Sequence, residues 1–183
     1  GDWRRMVFAA LLAALKSGDP QPIHAKAGRQ ALQLAYAAIQ SFEALEHRME
    51  HVATIRGVEF INDSKATNVN STWFALESLT KPAILILGGV DTGNDDSLIL
   101  ELVKEKVKAI VCMGTDNRKI HEAFQHDVPV IVNTTSAAEA VHSAYQLADE
   151  GDVVLLSPAC ASFDLFKNYE DRGKQFKDAV RDL

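Results

Sequence analysis

The sequence predicts an α/β fold in which helices cover both faces of a mostly parallel sheet. Two observations carry this. From Val52 onward, short apolar runs alternate with helix-period patterns, as β–α–β units require. The runs AILIL (83–87), AIVCM (109–113) and VVLL (153–156) are apolar throughout rather than at every second residue, which fits strands buried on both faces. Right-handed crossovers then place the strand C-termini along one edge, so the expected architecture is Rossmann-like. The segments leaving those strands are NDSKAT (62–67), GGVDTGND (88–95), MGTDN (113–117), NTT (133–135) and SPACAS (157–162). Gly, Asn and hydroxyl residues dominate them, and the ligand of such a sheet is expected there.

In chain order, residues 3–16 read as an Ala/Leu-rich helix closed by Ser17-Gly18-Asp19-Pro20, and a second helical pattern spans 25–42. Two helices without a strand do not easily enclose a core. Residues 1–45 are therefore expected to be a helical segment ending a preceding domain, with 46–183 the sheet domain. A hairpin turns at Gly57 between 52–56 and 58–63. Helices are expected at 69–79, 97–106, 117–125, 136–148 and 169–183, and further strands at 83–87, 109–113, 128–132 and 153–156.

The 183 residues carry a net charge of −6, and no Lys/Arg stripe is present, so nucleic acid is not an expected partner. Arg4-Arg5 followed by MVFAALLAAL superficially resembles a signal peptide. No small-residue cleavage site follows, however, and the run falls well short of the ~20 residues a membrane span needs. A soluble cytoplasmic protein without membrane attachment is expected. Gly1 in place of an initiating Met suggests a piece of a longer chain. Cys112 and Cys160 form no metal or disulfide pattern and are expected to be buried thiols. The histidines show no ligand spacing, so no metal site is expected within the chain.

No G-x-G-x-x-G or G-x-x-x-x-G-K-[ST] occurs, so the chain has no phosphate-cradling loop of a recognised kind. Asp63-Ser64-Lys65-x-Thr67 leaves a strand and approaches a helix start. A lysine, a hydroxyl and helix amides there suit a carboxylate or phosphate, while a cap with a solvated lysine is the plainer reading. Ser162 is positioned to cap a helix beginning at Phe163. His47-Arg48 reads either as a surface pair or as a ligand contact at a domain boundary.

The stretches EHRMEHV (46–52), GVEFINDSKATN (57–68), LILGGVDTGND (85–95) and LLSPACASFDLFKNYEDRGKQF (155–176) together closely resemble the Mur ligases, particularly the D-glutamate-adding branch. The resemblance covers about residues 43–183. It implies a three-domain ligase of peptidoglycan synthesis that uses ATP with Mg. In this family ATP activates the carboxylate of a nucleotide-linked muramyl substrate, here UDP-N-acetylmuramoyl-L-alanine, and an amino acid attacks the acyl phosphate. It further implies that residues 1–45 close the central ATPase domain and that 46–183 hold D-glutamate and close over ATP. Carried over, His47, Arg48 and Asp63 would contact the nucleotide. Lys65, Thr67, Ser162, Phe163 and Tyr169 would frame D-glutamate, with Asn168 and Arg172 in support. Thr92 stands where this branch usually has lysine, which bears on D-glutamate affinity. No catalytic residue is expected within the chain, which alone should be inactive. A sister Mur or folylpolyglutamate-type ligase, or a stand-alone binding module, is the alternative.

Overall fold

The computed structural model describes residues 46–91 and 93–183. The expected helices at 3–16 and 25–42, and Thr92, lie outside the described residues. Those described belong to one compact unit, Ala44–Leu183.

The elements are β1 (Glu50–Ile55), β2 (Val58–Asn62), α1 (Val69–Ser78), β3 (Ala83–Leu87), a 3-10 turn (Asp96–Ile99), α2 (Leu100–Lys106), β4 (Val107–Met113), α3 (Arg118–Phe124), β5 (Ile131–Thr134), α4 (Ala137–Leu147), β6 (Val153–Leu156) and α5 (Tyr169–Arg181). They form one sheet in the order β1-β2-β6-β3-β4-β5. Only the β1–β2 hairpin is antiparallel; β2, β6, β3, β4 and β5 run parallel. The expected α/β architecture is what the chain adopts.

Alternation along the strands divides the core into two layers. Leu85, Leu87, Ile110, Cys112 and Leu155 face Leu76, Ile99, Val103, Ile120 and Phe124. Ile84, Ile86, Val111, Val154 and Leu156 face Ala140, Val141, Phe176 and Val180 on α4 and α5. Each large side chain buried this way contributes about 1.5–3 kcal/mol.

Side chains satisfy the helix ends. Asn68 Oδ1 accepts Ser71 N at 3.0 Å, and Asn168 Oδ1 accepts Asp171 N at 2.8 Å. At the other end of α1, Lys106 Nζ donates to Leu76 O, Glu77 O and Leu79 O at 2.9–3.0 Å.

Three expectations need correction. The strand expected at 128–132 is β5, Ile131–Thr134. Val128 N still bonds back to Phe124 O, completing the turn that ends α3, and Pro129 has no ladder donor. The helix expected at 97–106 is broken into a 3-10 turn and α2, because Asp95 Oδ1 accepts Ser97 N and Oγ and tightens the start. Finally, no helix begins at Phe163. Phe166 N bonds to Ser162 O in a single turn, and α5 starts only at Tyr169 behind its own cap, Asn168.

Candidate functional site

The C-terminal ends of β2, β3 and β6 converge, bringing NDSKAT, GGVDTGND and SPACAS together as the strand order requires. Gly88 N donates to Pro158 O at 3.0 Å and Val90 N to Ala161 O at 2.8 Å, so the second and third loops are stitched directly. Gly88 and Gly89 have φ of 125° and 136°. A Cβ on either would press into the backbone of Met113 or Ala161, which only glycine avoids.

Arg172 is the largest fully buried side chain of the described residues. From α5 its Nη2 donates to Ser64 O at 2.8 Å, its Nε to Ser64 Oγ at 3.1 Å and its Nη1 to Cys160 O at 3.1 Å. Ser64 Oγ in turn donates to Tyr169 O at 2.7 Å. One guanidinium thus ties the 62–67 loop to the 157–162 loop. Arg172 faces the protein's own carbonyls, so its expected support of a ligand is indirect. Desolvation lowers it to about 10.

Asp63 is buried at the end of β2. Its Oδ2 accepts Ser157 Oγ at 2.9 Å and its Oδ1 accepts Met49 N at 3.2 Å. Burial pushes its carboxyl up to about 7, against the opposing pull of those bonds and of Arg48. Lys65 N donates to His47 O at 3.0 Å, so the segment 47–49 is fastened to the same loop. Within that segment His47 and Met49 have φ of 66° and 42°.

The His47 ring is buried between β2 and α5. Asn62 Nδ2 approaches its Nδ1 at 2.9 Å, and also Glu50 Oε2 and Gly173 O. Asn62 Oδ1 accepts Ser64 N, which fixes the amide orientation. Nδ2 therefore donates, Nδ1 accepts, and the neutral ring carries its hydrogen on Nε2. Desolvation holds the His47 pKa below its ordinary value, partly opposed by Glu46 and Glu50. A Cβ on Gly173 would lie 2.8 Å from His47 Cγ and Cε1 and closer still to Nδ1.

Of the other expected residues, Lys65 Nζ lies 5.3 Å from the Tyr169 ring centroid and makes no ion pair among the described residues. Thr67 is half-buried, Ser162 is buried and Arg48 is exposed. Phe163 is 73% exposed, so it offers an apolar lip rather than an enclosing wall. Asn168 is spent as the cap of α5. Both cysteines are buried and free, and burial raises Cys112 to about 12 and Cys160 to about 11, so neither thiol is a nucleophile near neutral pH. No metal-binding group of side chains exists among the described residues. No helix among them is long and apolar enough to cross a membrane.

An open depression of about 740 Å³ lies beyond β4 and β5. Several of its polar groups answer one another, Arg118 with Asp116, His121 Nε2 with Asn133 Oδ1 and Thr135 with Glu139, while the buried Asn117 Oδ1 has no hydrogen-bond partner among the described residues. None of the expected site residues lines it.

A sequence profile described as "Mur ligase, glutamate ligase domain" matches residues 47–160. The chain belongs to the Mur ligase family. It is 61% identical over 146 residues to a UDP-N-acetylmuramoylalanine--D-glutamate ligase of Christiangramia forsetii, covering 80% of this chain and 33% of that protein. To the protein of the same description in Cytophaga hutchinsonii it is 51% identical over 177 residues, 97% of this chain and 37% of that one. The chain therefore spans about a third of the length of the curated relatives it matches. Among solved structures, a folylpolyglutamate synthase of Thermotoga maritima aligns with TM-score 0.54 at 15% identity, covering 84% of this chain and 37% of that one. The UDP-N-acetylmuramate-alanine ligase of Thermotoga maritima aligns with TM-score 0.52 at 9% identity, covering 87% and 38%. At those identities the likeness is one of fold.

For this Mur ligase domain, sequence reasoning missed Asn62, Ser64, Ser157 and the packing role of Gly173. Gly173 did leave a signal, since glycine inside a helix needs a reason. Gly173→Ala would normally gain up to about 1 kcal/mol of helix propensity. Here it must displace the His47 ring, and a net loss of about 2 kcal/mol is expected from overpacking. Equilibrium urea unfolding checks the sign; an alanine variant as stable as the parent would show that His47 moves aside freely.

Proposed function

We propose that the chain is the amino-acid-binding, ATP-closing part of a cytoplasmic ligase of peptidoglycan synthesis. This ligase adds D-glutamate to UDP-N-acetylmuramoyl-L-alanine through an acyl phosphate. Residues 1–45 would end its central ATPase domain and 46–183 would form its C-terminal domain. The observation that carries this is Lys65, a half-buried cation without an ion-pair partner among the described residues, at the edge where NDSKAT meets SPACAS. A dicarboxylate ligand needs such a cation with hydroxyls and amides around it, and Thr67 and Ser162 lie in the two adjoining loops. The descriptions of the two curated relatives support the choice of D-glutamate.

On the nucleotide side, Arg48 is the exposed group with donors to offer. Asp63 and His47 are engaged internally and would act by holding the 47–49 segment in place. With no metal-binding group among the described residues and no phosphate loop in the sequence, Mg and the ATP phosphates would be held mainly by residues outside this unit. ATP and Mg would activate the muramyl carboxylate there. This domain's contribution is to orient the amine and exclude water from a hydrolysable acyl phosphate.

The test is product formation by the complete ligase containing this chain, offered D-glutamate, L-glutamate and diamino acids in parallel. D-glutamate is expected to be preferred; a preference for another amino acid would assign the chain to a sister ligase. The purified chain alone is expected to hydrolyse no ATP and to form no amide. Ligation by the chain alone would overturn that division of labour.

A further inference from the structure

We propose that Tyr169 is a positioning residue for Lys65: the face of its ring seats the lysine ammonium rather than walling the amino-acid ligand. The proposal rests on reading Lys65 as the cation that receives a carboxylate. Lys65 Nζ lies 5.3 Å from the Tyr169 centroid, inside the roughly 6 Å range over which a ring face attracts a cation. Among the described residues no carboxylate pairs with Lys65. The ring face holds the ammonium, and the neighbouring Glu170 carboxylate acts on it only from beyond ion-pair distance.

The ring is itself held from three sides. Tyr169 is the first residue of α5, behind the Asn168 cap. Its carbonyl accepts Ser64 Oγ, the hydroxyl that Arg172 Nε also reaches, so the brace that joins the two loops also sets the ring's origin. The His47 ring meets Tyr169 at 84° with centroids 6.3 Å apart. The backbone carbonyl of His47 in turn accepts Lys65 N, so the Lys65 backbone is tied to His47 and its ammonium to Tyr169. A cation–π seat suits a carboxylate-binding lysine, because it orders the ammonium without neutralising it as an internal carboxylate would. The ammonium keeps its three donors for a ligand.

In the complete ligase, Tyr169→Leu is expected to raise the KM for D-glutamate about tenfold with kcat little changed, since only the placing of the cation is lost. Tyr169→Phe keeps the ring and is expected to behave as the parent. The deciding arm is the same Tyr169→Leu change made in a Lys65→Met background. A ring that acts through Lys65 then has nothing left to position, and no further rise in KM is expected. Additive effects would mean that the ring touches the ligand directly and would overturn the proposal.

A second readout needs no activity. In the chain itself, the Lys65 ε-methylene protons are expected to be shifted upfield by the ring in the parent and in Tyr169→Phe, and to return to ordinary positions in Tyr169→Leu. Ordinary positions in the parent would also overturn it. If the ligase prefers another amino acid, the functional reading fails while this spectroscopic result still reports on the seat.

Discussion

Arg172→Ala is expected to destabilise the protein by about 3–5 kcal/mol, as large-to-small changes at fully buried sites do, and to loosen both loops of the candidate site. The side chain is completely buried and faces no carboxylate at ion-pair distance among the described residues. Its charge is therefore a cost, visible in the lowered pKa. What repays that cost is its reach: a planar fork donates to Ser64 O, Ser64 Oγ and Cys160 O, which lie on loops that leave different strands. Without it, two backbone carbonyls lose their donors, at about 1–3 kcal/mol each if they stay buried. Arg172→Lys can restore only part of this and is expected to fall between parent and alanine. Urea unfolding measures the loss, and hydrogen exchange at Ser64 to Thr67 locates it. Losses below about 1 kcal/mol in both variants would mean that water takes over the three bonds and that the loops hold themselves.

The sequence made the parallel core readable because AILIL and VVLL have no polar residue to place outward, so only strands covered on both faces can use them. It misled where two local signals were equivalent. Ser162 followed by Phe163-Asp164 and Asn168 followed by Tyr169-Glu170-Asp171 both look like helix starts. The contest goes to Asn168, whose Oδ1 accepts Asp171 N while Asp171 Oδ2 accepts Lys167 N. Phe176 and Val180 then reach the core from the helix that follows. At 128–132 the apolar residues are real, but the turn closing α3 consumes Val128 N first.

At the site, the loops were legible and the bonds between them were not. NDSKAT and SPACAS could be placed on one edge because parallel strands joined by right-handed crossovers all end along it. That Ser157 serves Asp63 across 94 residues, or that Arg172 serves Ser64 across 108, depends on side-chain directions that no local spacing encodes. Arg172 was accordingly read as support for the ligand because it is polar and lies in a ligand-like motif. In the fold its guanidinium bonds to both loops, so that support would be indirect.

Stability is expected to fall as pH rises from about 4 to about 7, by up to about 4 kcal/mol from Asp63 alone, and to level off above that range. The folded carboxyl, raised to about 7, keeps its proton where the unfolded one, near 3.8, has lost it. Between those values the folded state binds more protons, so each increment of pH favours unfolding. Below about 4 both states are protonated and the group is neutral in the balance. Desolvation is the leading cause, and the bonds from Ser157 Oγ and Met49 N, with the pull of Arg48, compensate only part of it. Asp63→Asn keeps the acceptor for Met49 N and removes the titration. Its melting temperature is expected to vary less with pH across this window, with a gain over the parent that grows towards pH 8. Parallel curves for parent and variant would mean that Asp63 ionises normally, with the 47–49 segment and Ser157 solvating its charge in full. The direction matters for the site, because Asp63 fastens the 47–49 segment to the loop bearing Lys65. The carboxylate that best accepts Met49 N is also the form that burial penalises. This contact is therefore the one in the site most exposed to pH, and hydrogen exchange at Met49 read from pH 5 to pH 8 would follow it directly.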